Sequence, residues 1–284
     1  VTTLAQDNGT TLTLKNLPST LATISVADGA STSDNLAISY SSGPTSLTFN
    51  AFGDSSSTTN ITSLNAPLTI NGKLVTNLAG DAQVYSTQLS TLGTMTTDAT
   101  TIAITTDALP AAIAGTELTL GNITDTVIQS LTVTGVTNSD ITVGTLSTSS
   151  AELATVSVTA GANATTTLGA VTANSATTLA ITANSGAQGT LDLSNISATS
   201  AAVSVSMTLG DQAVITGVAD VVVGKTISAS TFTVGAGVGA SGALEALPTL
   251  EVGAVTGTIG AITINTGVSS FVSQTIGSTT KAAT

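Results

Sequence analysis

The chain has no cysteine, histidine, tryptophan or arginine, and its only cations are Lys15, Lys73, Lys225 and Lys281. Without histidine there is no imidazole base and no histidine-held metal. Without cysteine there is no thiol nucleophile, zinc thiolate centre or disulfide, so the fold stands without covalent staples. Four lysines against a formal net charge of -12 cannot neutralise a run of phosphates. Nucleic acid is therefore not an expected partner, and anionic membranes are disfavoured for the same reason. No apolar run approaches the roughly eighteen residues of a membrane helix, so no transmembrane segment is expected. The first residues are polar and threonine-rich rather than basic then apolar. A leader removed, another export signal or a fragment are the readings that fit.

Aromatic residues make up 2% of the 284 residues and charged residues 7%, yet 41% are hydrophobic. What is abundant is Thr, Ser, Ala, Gly, Val and Leu, arranged with a strong period. Apolar residues recur at i and i+2 in short runs bounded by Gly, Asn, Asp and Ser, the pattern of half-buried β-strands. Early examples begin at Leu12, Ile24, Leu36 and Leu47, spaced 12, 12 and 11 residues apart. In the middle of the chain Leu131, Val156, Leu179 and Val203 are 25, 23 and 24 apart, and Val143, Leu168, Leu191 and Val214 are 25, 23 and 23 apart. Two interleaved series with one period predict two faces of a coil near 24 residues, the signature of a β-solenoid. Leu131, Val156, Leu179 and Val203 are then expected to stack in one inward column. Thr132, Ser157, Ala180 and Ser204 would form one outward column, and Thr134, Thr159, Thr182 and Ser206 the next. Stacked positions about 4.8 Å apart tolerate Thr, Ser and Val better than large charged residues, which accounts for the composition.

The expected fold class is all-β, a parallel β-helix-like solenoid, with tandem β-sandwich domains as the alternative. Helical signals are limited to 108–114 and 243–247, each stopped by proline. A soft division near 106–117, where the 12-residue rhythm yields to the 24-residue one, separates a β-rich region 1–106 from a solenoid-like region 107–284. The run 235–242 is the clearest linker.

Chemistry-bearing motifs are weak. Gly237, Gly239 and Gly242 match G-x-G-x-x-G, but Pro248 cuts off the helix that a dinucleotide site needs. Gly224-Lys225-Thr226 resembles the end of a phosphate loop, but Gly217 lies too far upstream. Asp28, Asp34 and Asp54 sit in Asx-rich turns and are candidate calcium ligands, calcium being the one cofactor considered; ordinary Asx turns are the competing reading. Asp192 and Asp211 would be the carboxylates of a glycan-cleaving site, but basic and aromatic sugar-contacting residues are missing, so no enzymatic activity is expected. The sequons at Asn8, Asn60, Asn122, Asn163 and Asn195 are as many as chance gives in so Ser/Thr-rich a chain. The threonine columns suggest an ice-binding ladder as an alternative, but they degenerate within four coils.

The runs TVSVTAG at 155–161, TLAITAN at 178–184 and GTLDLSN at 189–195 resemble the β-helical bodies of bacterial surface-layer proteins, such as those of Caulobacter and Campylobacter, or a related extracellular filament subunit. The resemblance implies an acidic subunit at the cell surface or outside the cell that self-assembles into a homopolymer, often with calcium, although the calcium-binding glycine-rich repeat is missing. Strand addition between copies is the expected contact, with Leu4, Leu12 and Leu14 of segment 2–17 filling apolar positions in a neighbour; the competing expectation is that this segment caps its own stack. An adhesin that binds a cell-surface glycan through a β-solenoid stalk is the alternative function.

Overall fold

The computed structural model describes residues 2–6, 11–28, 35–52, 54–73, 90–107, 116–209, 214–218, 221–234, 249–252, 255–266 and 273–276. Among them there is no helix; every element is a β-strand. All strand pairings are parallel, and each strand pairs with strands one coil before or after it. The architecture is a β-solenoid of about six turns.

Three rows of strands build the coil. The first row stacks Leu47–Phe52, Leu68–Lys73, Thr101–Thr106, Ser130–Thr134, Thr155–Ala160, Thr178–Ser185 and Ala202–Leu209. The second stacks Thr116–Leu120, Ser139–Val143, Thr165–Leu168, Thr190–Leu193 and Val214–Val218. The third is short: Ile123–Asp125, Leu146–Thr148, Val171–Thr172 and Ile196–Ala198. In earlier coils the second and third rows are one continuous strand. Ser90–Thr97 pairs through its first residues with Thr116–Leu120 and through its last with Ile123–Asp125. The two faces expected from sequence are therefore three.

The early 12-residue rhythm and the later 24-residue one are the same coil. Leu12 pairs with Leu36 in one row and Ile24 with Phe49 in another, so successive early strands alternate between rows. The first-row ladder runs from Leu68–Lys73 through Thr101–Thr106 to Ser130–Thr134, across residue 106. Segments 108–114, 235–242 and 243–247 lie outside the described residues.

Alternation sets what is buried. Leu131, Val133, Val156, Val158, Leu179 and Ile181 are buried, while Thr132, Ser157, Ala180 and Thr182 between them are half-buried and face outward. Each fully buried Leu, Ile or Val side chain contributes about 1.5–3 kcal/mol relative to exposure. Phe49 is the one fully buried aromatic among the largest core side chains, stacked between Ile24 and Ile70.

The register departs from the expected one by two residues at one coil. Val156 pairs with Ile181, not Leu179; Leu179 pairs with Val203. Likewise Leu168 pairs with Leu193, and Leu191 lies opposite Thr166 and Ile215. The outward columns are accordingly Thr132–Ser157–Thr182–Ser206, with steps of 25, 25 and 24 residues, and Thr134–Thr159–Asn184–Thr208. Ser130, Thr155, Ala180 and Ser204 form the third. A two-residue slip preserves which residues face inward, so hydrophobic pattern alone does not resolve it.

Corners between rows repeat from coil to coil. Between the first and second rows the chain takes a left-handed residue: Asn138 (φ 59), Asn163 (φ 53) and Gln188 (φ 58). Asparagine is among the residues that tolerate this region. The amide N–H of Asn138 donates to the Ala162 carbonyl, and that of Asn163 to the Ala187 carbonyl. Between the second and third rows Gly93, Gly121, Gly144 and Gly169 stack. A Cβ at Gly144 would lie 2.8 Å from the Gly121 carbonyl carbon and 2.6 Å from Asn122 Oδ1, and one at Gly169 would lie 2.8 Å from the Gly144 carbonyl carbon. The close approach, not an unusual φ, demands glycine here. Gly144→Ala is expected to destabilise the fold by about 1–3 kcal/mol, because the obstructing atoms are mostly backbone. Urea denaturation of the variant against the native chain measures this; an unchanged midpoint would show that the corner can widen freely.

Candidate assembly and corner sites

Thr2–Gln6 pairs with Thr23–Asp28, with Leu4 opposite Val26, and Thr11–Leu17 pairs with Asn35–Tyr40, with Leu12 opposite Leu36 and Leu14 opposite Ile38. Leu12 and Leu14 are partly buried and pack against the core of the same chain. The segment thus forms the first described coil of its own stack. Among the described residues, Thr2–Gln6 and Thr11–Leu17 have one strand partner each, as do Val255–Thr266 and Ser273–Ile276 at the other end. Each end therefore presents backbone N–H and C=O groups along a strand edge, the template for another strand.

Asp28 ends its strand opposite Gln6, and Asp54 opens the strand Asp54–Thr62 opposite Thr91. The two lie in different rows, and Asp34 lies outside the described residues. Among the described residues no group of three or more acidic side chains is placed to hold a metal. Asp192 is half-buried on the outer side of the second row, between Thr167 and Thr216; Asp211, Gly237, Gly239 and Gly242 lie outside the described residues. Gly224, Lys225 and Thr226 fall inside the strand Val221–Val234, not in a loop.

Sequence reasoning missed the acids that do the most structural work. Where the third row turns into the next coil, loop N–H groups need acceptors, because a buried unpaired amide costs about as much as a lost hydrogen bond. Asp98 accepts from the Ser63 and Leu64 N–H groups, both at 2.8 Å, tying its coil to the preceding one. Asp125 accepts from Ala99 N–H at 2.9 Å in the preceding coil, and from Val127 and Ile128 N–H at 2.8 Å in its own. Later corners use neutral acceptors. Thr148 Oγ1 takes the Ser150 N–H, Ser150 Oγ takes the Glu152 N–H, and Asn174 Oδ1 takes the Ser197 hydroxyl and the Thr199 N–H. Asp125 is 1% exposed and stacks between Thr97 and Thr148. Burial pushes its carboxyl up to about 6; the three N–H donors pull it down, and the Asp98 charge pushes it up a little further. The signal for an inward acid was present: Ile123 and Asp125 share parity in the run Ile-Thr-Asp.

The fold is that of a β-solenoid. Comparison with protein-family models, curated proteins and solved structures finds no match.

Proposed function

We propose that the chain is a structural subunit that self-assembles outside the cell into a surface layer or filament, joining copies by strand addition at the ends of its stack. The observation that carries this reading is the parallel ladder whose terminal described strands each keep one edge without a strand partner. A coil of the same repeat from another copy satisfies such an edge with main-chain hydrogen bonds and continues the inward apolar columns. The low charge supports it, since few like charges oppose close stacking. A non-catalytic role fits the placement of Asp98 and Asp125, whose carboxylates are committed to loop amides.

The test is electron microscopy and sedimentation of the purified chain and of a Thr11→Lys/Thr13→Lys variant. Adding charge to an edge strand blocks pairing. The native chain is expected to form extended polymers. The variant should keep its circular dichroism spectrum and lose tenfold or more in polymer at matched concentration, about 1.4 kcal/mol per contact. Equal polymerisation of the two would place the contacts elsewhere, and a native chain that stays monomeric would end the structural reading.

A further inference from the structure

We infer that the outer face of the first row is a lateral contact surface for a second copy of this chain, packed face to face. The inference rests on the self-assembly reading and adds a contact distinct from the stack ends. Across seven stacked strands the central outward column reads Thr48, Thr69, Ala103, Thr132, Ser157, Thr182 and Ser206. The column beside it reads Asn50, Asn71, Thr105, Thr134, Thr159, Asn184 and Thr208. The third, on later strands, reads Thr101, Ser130, Thr155, Ala180 and Ser204. Every one of these residues is exposed or half-buried. The second column is pre-ordered at its start: Asn71 Nδ2 donates to Asn50 Oδ1 at 3.0 Å, and Asn50 Nδ2 donates to Ser25 Oγ at 3.2 Å.

Charge distribution selects the occupant. The chain carries a formal charge of -12, so copies repel wherever acids face each other. None of the residues in these columns is charged. Asp140 and Asp192 lie on the second row, Asp98 and Asp125 at the corner and Glu152 in the loop after the third row. Asp107 follows the strand Thr101–Thr106 and marks the rim of the face. This is the broad surface on which two acidic copies meet without opposing charges. Its size suffices: strands about 4.8 Å apart and outward residues about 6.7 Å apart give a face of roughly 30 by 20 Å. A face-to-face pair then buries about 1,200 Å², the lower end of stable interfaces. Small side chains let two sheets approach to the usual spacing of about 10 Å. The face carries no aromatic residue for stacking on a sugar ring, which argues against a glycan as occupant.

The test places one charge at the centre of the face. Thr132 is the middle residue of the middle strand. Thr132→Asp, Thr132→Lys and, as a control on the second row, Thr142→Asp are compared with the native chain by sedimentation velocity and electron microscopy. The native chain and Thr142→Asp are expected to show paired stacks. Thr132→Asp should weaken lateral pairing tenfold or more while end-to-end polymers persist as single, thinner fibres. An equimolar mixture of the Asp and Lys variants should regain pairing. Paired stacks that survive in Thr132→Asp would overturn the lateral contact and leave the strand-addition reading standing. A native chain monomeric at every concentration, or one that stays monomeric and binds cell-wall polysaccharide through Thr132, would overturn both.

Discussion

Val156→Asp should cost the fold about 3 kcal/mol or more, whereas Ser157→Asp, one residue along the same strand, should cost within about 1 kcal/mol. Val156 is 2% exposed and lies in an inward column between Leu131 and Ile181. An aspartate there loses its hydration between two aliphatic neighbours with no cation near it, and cavity collapse cannot relieve it because the coils above and below hold the backbone. Ser157 lies in the outward column between Thr132 and Thr182 and is half-buried, so a carboxylate at that position keeps contact with water. Urea denaturation followed by circular dichroism reads both values. Comparable losses from the two substitutions would mean that strand Thr155–Ala160 does not present alternate residues to core and solvent.

That contrast marks how much of the fold was legible. A period of two within strands and of about 24 between them is set by the pleat and by the length of a coil, and both are printed in the apolar positions. The register between coils was not legible at one step. Leu179 and Ile181 are both buried and both apolar, so either could follow Val156 as judged from pattern. The choice is made by the turn: the exposed Asn174 and Ser175 loop delays the strand, and Val156 meets Ile181. The third row was invisible for a different reason. Its strands, such as Val171–Thr172 and Leu146–Thr148, hold two or three residues, too few to show an alternation. Glycines read as strand boundaries proved to be a stacked column in which backbones approach too closely for a Cβ, a property of neighbouring coils that no local window contains.

The acids divide in the same way. Asp28, Asp34 and Asp54 stood out because they lie among glycines and hydroxyls, the local signature of a turn. Asp98 and Asp125 gained their roles from the preceding coil: Ser63 lies 35 residues before Asp98, and Ala99 lies 26 before Asp125. Only the coil length brings those amides to those carboxylates.

The burial of Asp125 makes stability depend on pH in a direction opposite to ordinary acid denaturation. Its folded pKa, about 6, is above its unfolded value of 3.8. The folded state therefore binds the proton more tightly, and stability from this group rises as pH falls through about 6 and levels off below about 3.8. Above that window the ionised carboxylate carries its full desolvation cost. The proton has a place to go: Thr97, the register neighbour of Asp125, has a buried hydroxyl oxygen with no hydrogen-bond partner. Asp125→Asn keeps one oxygen acceptor and is neutral throughout. The native chain is thus expected to gain stability relative to Asp125→Asn as pH falls from 7 to 4. Asp125→Ala leaves the Ala99, Val127 and Ile128 amides without their acceptor. At about 1–3 kcal/mol for each amide that water does not reach, it should lose several kcal/mol at every pH. Urea denaturation of the three proteins at half-unit steps of pH separates the contributions. If the native chain instead loses stability relative to Asp125→Asn on acidification, the three N–H donors outweigh burial, and Asp125 is held as an anion that fastens the corner by charge.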